Sequence, residues 1–332
     1  SKGNGGVGVL VTGGAGYIGS HACLEFAGAG EECIVLDDLS TGFRQSLPDT
    51  ARLVVGDTGD QDQVFRLIEE HDIDAVVHFA GSIIVPESIT DPLGYYYNNT
   101  VKSRSLIEAA VRGKIRHMIF SSTAAVYGAP SQSPIAETAP LKPISPYGTS
   151  KMMTELMLRD TAVAHDFEYV ALRYFNVAGA DPDGRSGQST KNATHLVKVA
   201  CQAAIGLRPR LEVFGNDYPT PDGTCVRDYI HVTDLARAHV SALNYLRSGG
   251  KSTELNCGYG RGASVLEVIE AVKRVSGSQF EVDHAERRPG DPANLVAAAD
   301  RIRGLLDWRP EFDDLDAIVS HALAWERKNK QV

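Results

Sequence analysis

The strongest constraint on the fold is a glycine-rich turn close to the start of the sequence. The apolar segment 7–12 leads into Gly13, Gly16 and Gly19, and a helix-like segment follows near 18–27. In such a strand–turn–helix unit the glycines allow a tight exit from the strand, close approach of a pyrophosphate, and close packing of the helix on the sheet. The helix then directs its amide N–H groups and positive dipole end at the anion. This stretch predicts a dinucleotide-binding site, although glycines also mark plain turns.

An acidic residue at the end of the second predicted strand indicates which dinucleotide binds. Asp37 follows Gly19 by 18 residues. A carboxylate at this place accepts hydrogen bonds from an adenosine ribose and repels a 2′-phosphate, which favours NAD over NADP. The plainer alternative is an acidic residue in the loop 37–42. The glycine spacing also differs from the commoner Gly-x-Gly-x-x-Gly, but glycines and acid together predict NAD.

Strand-like and helix-like segments alternate through the first half of the chain. The strand-like segments are short, apolar and β-branched, as in strands that are buried on both faces. They span 7–12, 32–36, 52–55, 75–79, 117–121 and 168–173, and the predicted helices lie near 18–27, 61–71, 93–112 and 147–165. The alternation predicts an α/β fold with a doubly wound, parallel, Rossmann-type sheet.

The alternation ends near residue 176. Irregular segments rich in Gly, Pro and Asp follow at 180–189 and 216–224, and helices are predicted near 194–205, 232–246, 265–275 and 314–327. We therefore predict an NAD-binding Rossmann domain over 7–176 and a smaller mixed α/β lobe over 177–330 that binds the substrate. No linker separates the two, so we expect them to pack intimately.

Composition excludes several classes of partner. The 332 residues carry a net charge of -9 and no basic run, which argues against nucleic acid. The five cysteines form no C-x-x-C pair, so neither a metal site nor a disulfide framework is expected, and a reducing compartment fits better. The chain has no apolar stretch of about 20 residues that could cross a membrane and no signal-peptide pattern at its start. We expect a cytoplasmic protein.

The stretch "SPYGTSK" contains a tyrosine and a lysine at helical spacing. Ser145 and Pro146 fit an N-cap and a first helical residue, which places Tyr147 and Lys151 on one face. A nearby ammonium is expected to lower the tyrosine pKa, so that the phenol can take a proton from an alcohol as hydride leaves its carbon. An exposed tyrosine and lysine on an amphipathic helix is the alternative.

A hydroxyl cluster, Ser121, Ser122 and Thr123, follows a predicted strand upstream of that helix. Ligands of open α/β sheets bind at the carboxyl ends of the strands, so a hydroxyl there can hydrogen-bond a substrate oxygen. A capping or turn role is the alternative. Together with the dinucleotide turn, the cluster favours an active-site interpretation of the tyrosine and lysine.

These motifs, together with longer ones in the second half, identify a family. The glycine turn, Asp37, "HFAG" (78–81), "SSTAAVYG" (121–128) and Tyr147-x-x-x-Lys151 resemble the extended short-chain dehydrogenase/reductase family. The stretches "RYFNVAGADPDG" (173–184), "VFGNDYPTPDGTCVRDYIHVTDLA" (213–236) and "RRPGD" (287–291) resemble the branch that epimerises UDP-glucose and UDP-galactose at C4. The resemblance extends from about residue 7 to residue 308.

The resemblance implies a mechanism with tightly held NAD that is returned unchanged. Tyr147 is expected to deprotonate the sugar 4′-hydroxyl while hydride moves from C4 to the nicotinamide. The 4-keto sugar then turns in the pocket and hydride returns to its opposite face. Thr123 is expected to share a hydrogen bond with the 4′-oxygen, and Lys151 to tune Tyr147 and hold the nicotinamide ribose.

The resemblance also implies two sets of binding residues. NAD is expected to contact Gly13, Gly16, Tyr17, Ile18, Gly19, Asp37, Asp38, Leu39, Ser40, Thr41, Gly42, Asp57, Thr58, Phe79, Ala80, Gly81, Ser82, Ile83, Asn98, Ser121, Tyr147, Lys151, Tyr174 and Phe175. The UDP-hexose is expected to contact Thr123 and Tyr147 at the reacting carbon, Arg227 and Arg288 at the phosphates, Asn176, His195 and Leu196 at the diphosphate and sugar, Phe214 at the uracil, Asp291 at the uridine ribose, and Leu295 in the sugar pocket.

Three positions depart from the family pattern. The segment Ser82-Ile83-Ile84 lacks the lysine that some of these epimerases carry after "HFAG", and His195 replaces an asparagine. At the sugar-pocket position a tyrosine restricts the substrate to UDP-glucose and UDP-galactose, whereas a small residue admits N-acetylated sugars. Leu295 is intermediate, so we expect UDP-galactose and UDP-glucose first and weaker turnover of N-acetylhexosamines.

Two alternatives share the predicted cofactor site. A nucleotide-sugar 4,6-dehydratase or decarboxylase would keep the tyrosine and lysine, but dehydratases have acidic residues after the strand threonine, where this chain has Ala124 and Ala125. A non-catalytic NAD-binding protein would have lost part of the set Thr123, Tyr147 and Lys151. Family members are often homodimers built from two helices of each subunit, for which 93–112 and 147–165 are the candidates here.

Overall fold

The fold is built around a parallel β-sheet in a computed structural model that describes residues 7–330. The strands in chain order are β1 (Gly8–Thr12), β2 (Glu32–Asp37), β3 (Arg52–Val55), β4 (Ile73–His78), β5 (His117–Thr123), β6 (Glu168–Tyr174), β7 (Asn176–Ala178), β8 (Arg210–Phe214), β9 (Val226–Arg227), β10 (Tyr229–His231), β11 (Thr253–Cys257), β12 (Ala263–Ser264), β13 (Glu281–Ala285) and β14 (Asn294–Leu295). Seven of them form the central sheet in the order β11-β6-β5-β4-β1-β2-β3, with every neighbouring pair parallel. The strand order reverses beside β1, so the ligand crevice is expected at the carboxyl ends of β1 and β4.

Helices cover both faces of this sheet. They are α1 (Tyr17–Gly28), α2 (Gln61–Glu70), α3 (Val85–Thr90), α4 (Pro92–Tyr95), α5 (Lys102–Arg112), α6 (Pro146–Ala164), α7 (Leu196–Ala204), α8 (Val232–Arg247), α9 (Val265–Ser276), α10 (Asp300–Leu306) and α11 (Leu315–Lys330). Alternate residues of β1 show the arrangement: Leu10 packs with α2, α5 and α6, whereas Val9 and Val11 pack with α1 and α8. Burial on both faces explains why the strand segments are continuously apolar. The predicted doubly wound Rossmann-type fold is confirmed.

The main correction concerns the seventh strand. β11 lies in the second half of the chain but pairs with β6, and α8 packs against α1. The predicted division at residue 176 therefore separates the two lobes only in part, because the chain returns to the first sheet. The sequence did not indicate β11 because its segment "TELNC" contains Asn256, a polar residue that is fully buried and hydrogen-bonded to Tyr127.

The helical segment predicted over 93–112 is present over 92–112 but is less regular than expected. A π-helical segment, Tyr96–Val101, lies between α4 and α5. Asp91 caps the start of α4 by accepting a hydrogen bond from the amide of Gly94 (3.1 Å), and Pro92 is its first residue. Such π-helical insertions often occur at functional sites. This one places Asn98 and Asn99 beside Ser82.

The remaining strands form small sheets in the second lobe. β7 pairs with β10, β8 with β13, and β9 lies between β12 and β14. α7, α9 and α11 share one hydrophobic cluster with residues of the central sheet. Across residues 7–330 the structure contains no helix with the length and apolar character needed to span a bilayer.

Candidate functional site

The predicted catalytic side chains meet at the carboxyl end of β5. Ser145 caps α6 by accepting a hydrogen bond from the amide of Gly148 (3.1 Å), and Pro146 opens the helix, as the sequence predicts. Tyr147 therefore lies in the first turn of α6, and the Thr123 hydroxyl lowers the pKa of its phenol. Thr123 also caps a short 3₁₀ turn through the amide of Ala125 (3.1 Å).

The electrostatics of this group differ from the expectation. Burial raises the pKa of the Tyr147 phenol above its ordinary value, and the Thr123 hydroxyl offsets part of that rise. Lys151 does not lower it: its ammonium donates to the carbonyl of Ser121 (3.0 Å) and lies 5.1 Å from the centroid of the Phe120 ring. Burial lowers the pKa of Lys151 to about 8. In this structure desolvation raises the Tyr147 pKa, and the expected lowering by the lysine is absent.

The glycine turn tolerates no side chain at two positions. Gly13 has a φ of +68°, and a Cβ there would lie 2.6 Å from the amide nitrogen of Ala80. A Cβ on Gly19 would lie 2.3 Å from the carbonyl oxygen of Gly13. Within the described residues, α1 has no side-chain cap at Gly16 and no acidic residue in its first turn. Its first amide groups therefore remain available, and this cradle fits a pyrophosphate.

Asp37 organises the loop that follows β2. Its carboxylate accepts hydrogen bonds from the amides of Ala15 (2.9 Å) and Leu39 (2.8 Å), so it joins the glycine turn to that loop. Leu39 has a φ of 58°, a left-handed conformation that is costly for a branched residue. Burial raises the pKa of Asp37. Each carboxylate oxygen retains a lone pair, so the residue can still accept from a ribose.

The other residues predicted to bind NAD lie around the same edge of the sheet. Asp38, Leu39, Ser40, Thr41 and Gly42 follow β2, Asp57 and Thr58 follow β3, Phe79, Ala80, Gly81, Ser82 and Ile83 follow β4, Ser121 lies in β5, and Tyr174 and Phe175 lie at the end of β6. Tyr17 and Ile18 begin α1. The Tyr17 hydroxyl donates to the carbonyl of Gly179 (2.7 Å), so this side chain links α1 to the second lobe.

The structure adds Asn99 to this half of the site. Its side-chain oxygen accepts from the amide of Ser82 (2.7 Å), and its amide group donates to the Ser82 carbonyl (2.9 Å) and the Ser150 hydroxyl (3.1 Å). Asn99 thereby fixes the segment after β4 against α6. Asn98 donates to the Ser82 hydroxyl (2.8 Å). The two consecutive asparagines in the sequence were the available signal for this contact. Their spacing did not show that Asn99, and not only Asn98, holds the segment after β4.

The residues predicted to bind the UDP-sugar fall into three groups. Arg227 is paired in register with Leu295, and its guanidinium lies 3.8 Å from the carboxylate of Asp291. The guanidinium of Arg288 lies 3.7 Å from the centroid of the Phe214 ring. The third group is Asn176, His195 and Leu196, which line one cavity of about 30 Å³.

Two contacts connect these groups to the rest of the site. Leu295 packs against the cluster formed by Ala124, Val126, Tyr127, Ile135, Phe175 and Ala297, which adjoins Thr123. Burial lowers the pKa of His195, and its Nδ1 accepts from the side chain of Gln188 (2.7 Å). Neutral His195 therefore has its Nε2 proton available as a donor, as an asparagine amide would.

Asp228 is a second residue that the sequence analysis missed. Its fully buried carboxylate accepts from the amides of Tyr259 (2.9 Å), Gly260 (2.8 Å) and Ala297 (3.1 Å). It therefore fixes two backbone segments, 259–260 and Ala297, next to Arg227. A single acid inside "VRDY" gives no indication of such distant partners.

Metal chemistry finds no support in the described part of the chain. No group of three or more His, Cys, Asp or Glu side chains there could hold a metal ion. All five cysteines are buried free thiols.

Comparisons with known proteins agree with the geometry. The family model described as "NAD dependent epimerase/dehydratase family" matches residues 9–258. The chain is 59% identical to the UDP-glucose 4-epimerase of Azospirillum brasilense, over 97% of this chain and 93% of that protein.

Solved structures give the same result. The UDP-glucose 4-epimerase from Brucella ovis in complex with NAD has a TM-score of 0.93 and 45% identity, covering 96% of this chain and 98% of that one. The UDP-Glc/GlcNAc 4-epimerase from Campylobacter jejuni has a TM-score of 0.86 and 48% identity, covering 97% of this chain and 100% of that one. The resemblance inferred from the motifs is confirmed, and the chain belongs to the NAD dependent epimerase/dehydratase family.

Proposed function

We propose that this protein interconverts UDP-galactose and UDP-glucose at C4, with tightly bound NAD as its cofactor. The observation that carries the proposal is the convergence of Thr123, Tyr147 and Lys151 at the same sheet edge as the uncapped start of α1. An acid–base pair next to a dinucleotide cradle suits oxidation of a secondary alcohol. The 59% identity to a UDP-glucose 4-epimerase supports the same reaction.

The first lobe would hold the cofactor. The amides of Tyr17, Ile18 and Gly19 would bind the pyrophosphate, Asp37 the adenosine ribose, and Lys151 the nicotinamide ribose. NAD supplies a hydride acceptor that can return the same hydride to the other face of a 4-keto sugar. Asn99 and the loop after β4 keep the segment that adjoins this position fixed.

Tyr147 would act as the general base and then as the general acid. Its phenol takes the proton from the 4′-hydroxyl and later gives it back to the 4′-oxygen. The hydroxyl of Thr123 favours the phenolate and holds the same oxygen. Burial raises the phenol pKa. A cationic group brought close to Tyr147 would oppose this rise, because a nearby positive charge favours the phenolate.

The second lobe would hold the UDP portion. Arg227 and Arg288 neutralise the diphosphate, for which charge-assisted hydrogen bonds are well suited. Phe214 stacks on the uracil and Asp291 accepts from the uridine ribose. Asn176, His195 and Leu196 contact the diphosphate and the sugar. The boundary of this lobe near residue 177 stays approximate, because β11 belongs to the first sheet.

Leu295 would set the size of the sugar pocket. It packs beside Ala124 and Phe175, close to the catalytic threonine. We propose that UDP-galactose and UDP-glucose are preferred and that N-acetylated UDP-hexosamines react more slowly. A relative at 48% identity is described as a UDP-Glc/GlcNAc 4-epimerase.

The two alternatives are less well supported. In a 4,6-dehydratase the residues after the strand threonine would supply acid and base, but Ala124 is buried in an apolar cluster here. A non-catalytic NAD-binding protein would not need Thr123, Tyr147 and Lys151 at one place. Formation of a 4-keto-6-deoxy product would favour the first alternative, and retained NAD without any turnover would favour the second.

We also propose a cytoplasmic homodimer. Leu93, Tyr97 and Val101 recur every four residues along the helical segment from α4 to α5 and are 79%, 60% and 48% exposed. Met153 on α6 is exposed as well. An apolar face of this kind on two adjacent helices suits packing against a second copy. The buried free thiols fit a reducing compartment.

The experiment is to incubate the purified protein, without added NAD, with UDP-galactose and separately with UDP-N-acetylgalactosamine. Conversion of the first to UDP-glucose would support epimerisation with a retained cofactor, and conversion of both would support an open pocket at Leu295. Tyr147→Phe serves as the matched inactive control. No product from either sugar, even after NAD is supplied, would exclude the proposed reaction.

A further inference from the structure

A buried ion pair lies one helical turn beyond the proposed catalytic lysine. Glu155 and Arg173 are 3% and 4% exposed, and they form a two-pronged pair with distances of 3.0 Å (Nε to Oε1) and 2.7 Å (Nη2 to Oε2). Arg173 lies on β6 and Glu155 on α6. Neither residue belongs to the predicted site, and nothing in the proposed chemistry uses a charge there.

The pair is connected to the end of β5. Glu155 accepts a hydrogen bond from the hydroxyl of Ser122, the residue that precedes Thr123. Tyr147, Lys151 and Glu155 are spaced by four along α6, so they share the face that meets β5. Lys151 donates to the Ser121 carbonyl, Glu155 accepts from the Ser122 hydroxyl, and the Thr123 hydroxyl lowers the pKa of the Tyr147 phenol. The helix is therefore attached to the strand end in one register.

Arg173 extends this hydrogen-bond network to the segment that contains Leu295. Its Nη1 donates to the Tyr127 hydroxyl (2.9 Å) and to the Glu137 carbonyl (3.2 Å). Tyr127 in turn donates to the side chain of Asn256 (2.6 Å), which donates to the carbonyl of Ile135 (2.7 Å). The amide of Ile135 donates to the carbonyl of Val296 (2.8 Å), the residue after Leu295.

Burying such a network costs free energy of folding unless every charged group in it has hydrogen-bond partners. Three donors reach the Glu155 carboxylate, and four donor–acceptor contacts use the Arg173 guanidinium. Replacing a buried ion pair by apolar residues is often neutral or stabilising, so stability alone does not account for it. A fixed register between two elements is a role that a fully satisfied polar network can serve.

We propose that Glu155 and Arg173 are positioning residues for proton transfer: they fix α6 on β5 so that the Tyr147 phenol stays against the Thr123 hydroxyl. The inference rests on the proposed function, in which Tyr147 is the base. It assigns no contact with substrate or cofactor to either residue. Loss of the pair would loosen the contact that favours the phenolate.

The principal test is Glu155→Gln, which keeps size and shape but removes the charge. We expect NAD content and KM to change little, while kcat falls roughly 10- to 100-fold, the effect of a small misplacement of a catalytic group. The pH limb of kcat that reports Tyr147 should move to higher pH. Ultraviolet titration of the phenol, measured as the difference from Tyr147→Phe, should show the same upward shift.

The matched control is Asp74→Asn. Asp74 makes a two-pronged pair of similar geometry with Arg247 (2.9 and 2.7 Å) at the amino end of β4, away from the site, although that pair is half-buried and Arg247 also bonds to Glu31. This variant should lose thermal stability without any change in kcat or in the phenol titration. If Glu155→Gln behaves in the same way, the pair is structural and the proposal is wrong.

A second variant covers the case in which Glu155→Gln does not fold. Ser122→Ala leaves the ion pair intact and removes its hydrogen bond to β5, so kcat should fall roughly 2- to 10-fold, part of the worth of one hydrogen bond to a charged carboxylate. An unchanged titration in this variant overturns the proposal. Wild-type turnover of UDP-galactose tests the function separately, because the phenol titration requires no turnover.

Discussion

The two halves of the site are built in different ways. Around the predicted cofactor position, backbone and buried polar groups fix one another: Asp37 ties the glycine turn to the next loop, and Asn99 ties the segment after β4 to α6. Around the predicted UDP position, residues 286–291 are exposed, and Arg288 is held on the Phe214 ring. A rigid half suits a ligand that stays, and an exposed half suits one that is exchanged in every cycle.

Tyr147→Phe should have the largest effect of the variants considered. Its effect on kcat should not depend on binding by either half of the site. We expect kcat to fall by roughly 10²- to 10⁴-fold, the usual contribution of a general base. The melting temperature and the NAD content should match the wild-type protein, since the phenol is not part of the cradle. Single-turnover assays with UDP-galactose measure the loss, and near wild-type activity would contradict the assignment.

Gly13→Ala should damage the rigid half. The added Cβ meets the Ala80 backbone at 2.6 Å and the φ of +68° is unfavourable for alanine, so we expect a loss of about 1–3 kcal/mol in the free energy of unfolding. NAD should be lost on gel filtration. Gly28→Ala is the control, because no atom lies within 4 Å of its added Cβ. Equal NAD retention in both variants would mean that the turn is not the cofactor cradle.

Arg288→Ala should damage the exchangeable half alone. Loss of a charged hydrogen bond to a phosphate is worth about 1.5–3 kcal/mol, which predicts a KM increase of roughly 10- to 100-fold. NAD content and kcat should stay close to wild type. Arg287→Ala, next in sequence but bonded to Asp217, should change KM far less. A larger effect at Arg287 would show that the register of the two arginines is misassigned.

Lys151 lies at the junction of the halves and offers a pH test. Burial lowers its folded pKa from 10.5 to about 8, so above about pH 8 the unfolded chain binds more protons and wild-type stability gains with pH up to about 10.5. Lys151→Met lacks this gain. Its stability relative to wild type should therefore fall by up to about 3 kcal/mol between these pH values. Denaturant titrations at several pH values measure the difference, and a constant gap would contradict the shift.

Leu295→Tyr should have the smallest effect. A larger ring in the pocket should reduce turnover of UDP-N-acetylgalactosamine relative to UDP-galactose by roughly 10-fold or more, the range for small changes in an apolar pocket. Leu295→Met, with similar volume, should leave the ratio close to wild type. An unchanged ratio in the tyrosine variant would mean that another residue limits the pocket.

The same contrast explains what the sequence could reveal. Six strands were predictable because burial on both faces makes their segments continuously apolar. The glycine turn was predictable because positions that tolerate no side chain are occupied by regularly spaced glycines. The joint placement of Tyr147 and Lys151 followed from helical spacing. By contrast, the raised pKa of Tyr147 depends on the desolvation of the finished site, which no spacing encodes.

The missed residues share a physical reason. Asn99, Asp228 and the Glu155–Arg173 pair are buried polar groups whose partners are distant in the chain. A carboxylate in a helix gives the same local signal whether it is solvated or paired. β11 was missed for the same reason, since Asn256 interrupts its apolar character.

The return of the chain to the first sheet also affects how the protein is made. β11 covers the edge of β6, and α8 covers α1, but both are synthesised after the first six strands. Until Cys257 has left the ribosome, β6 presents an unpaired edge and the face of α1 lacks its neighbour. Domains usually fold as units during synthesis, N-terminal part first. Here the sheet of the cofactor-binding lobe is completed only when β11 exists, so NAD is expected to bind late in synthesis.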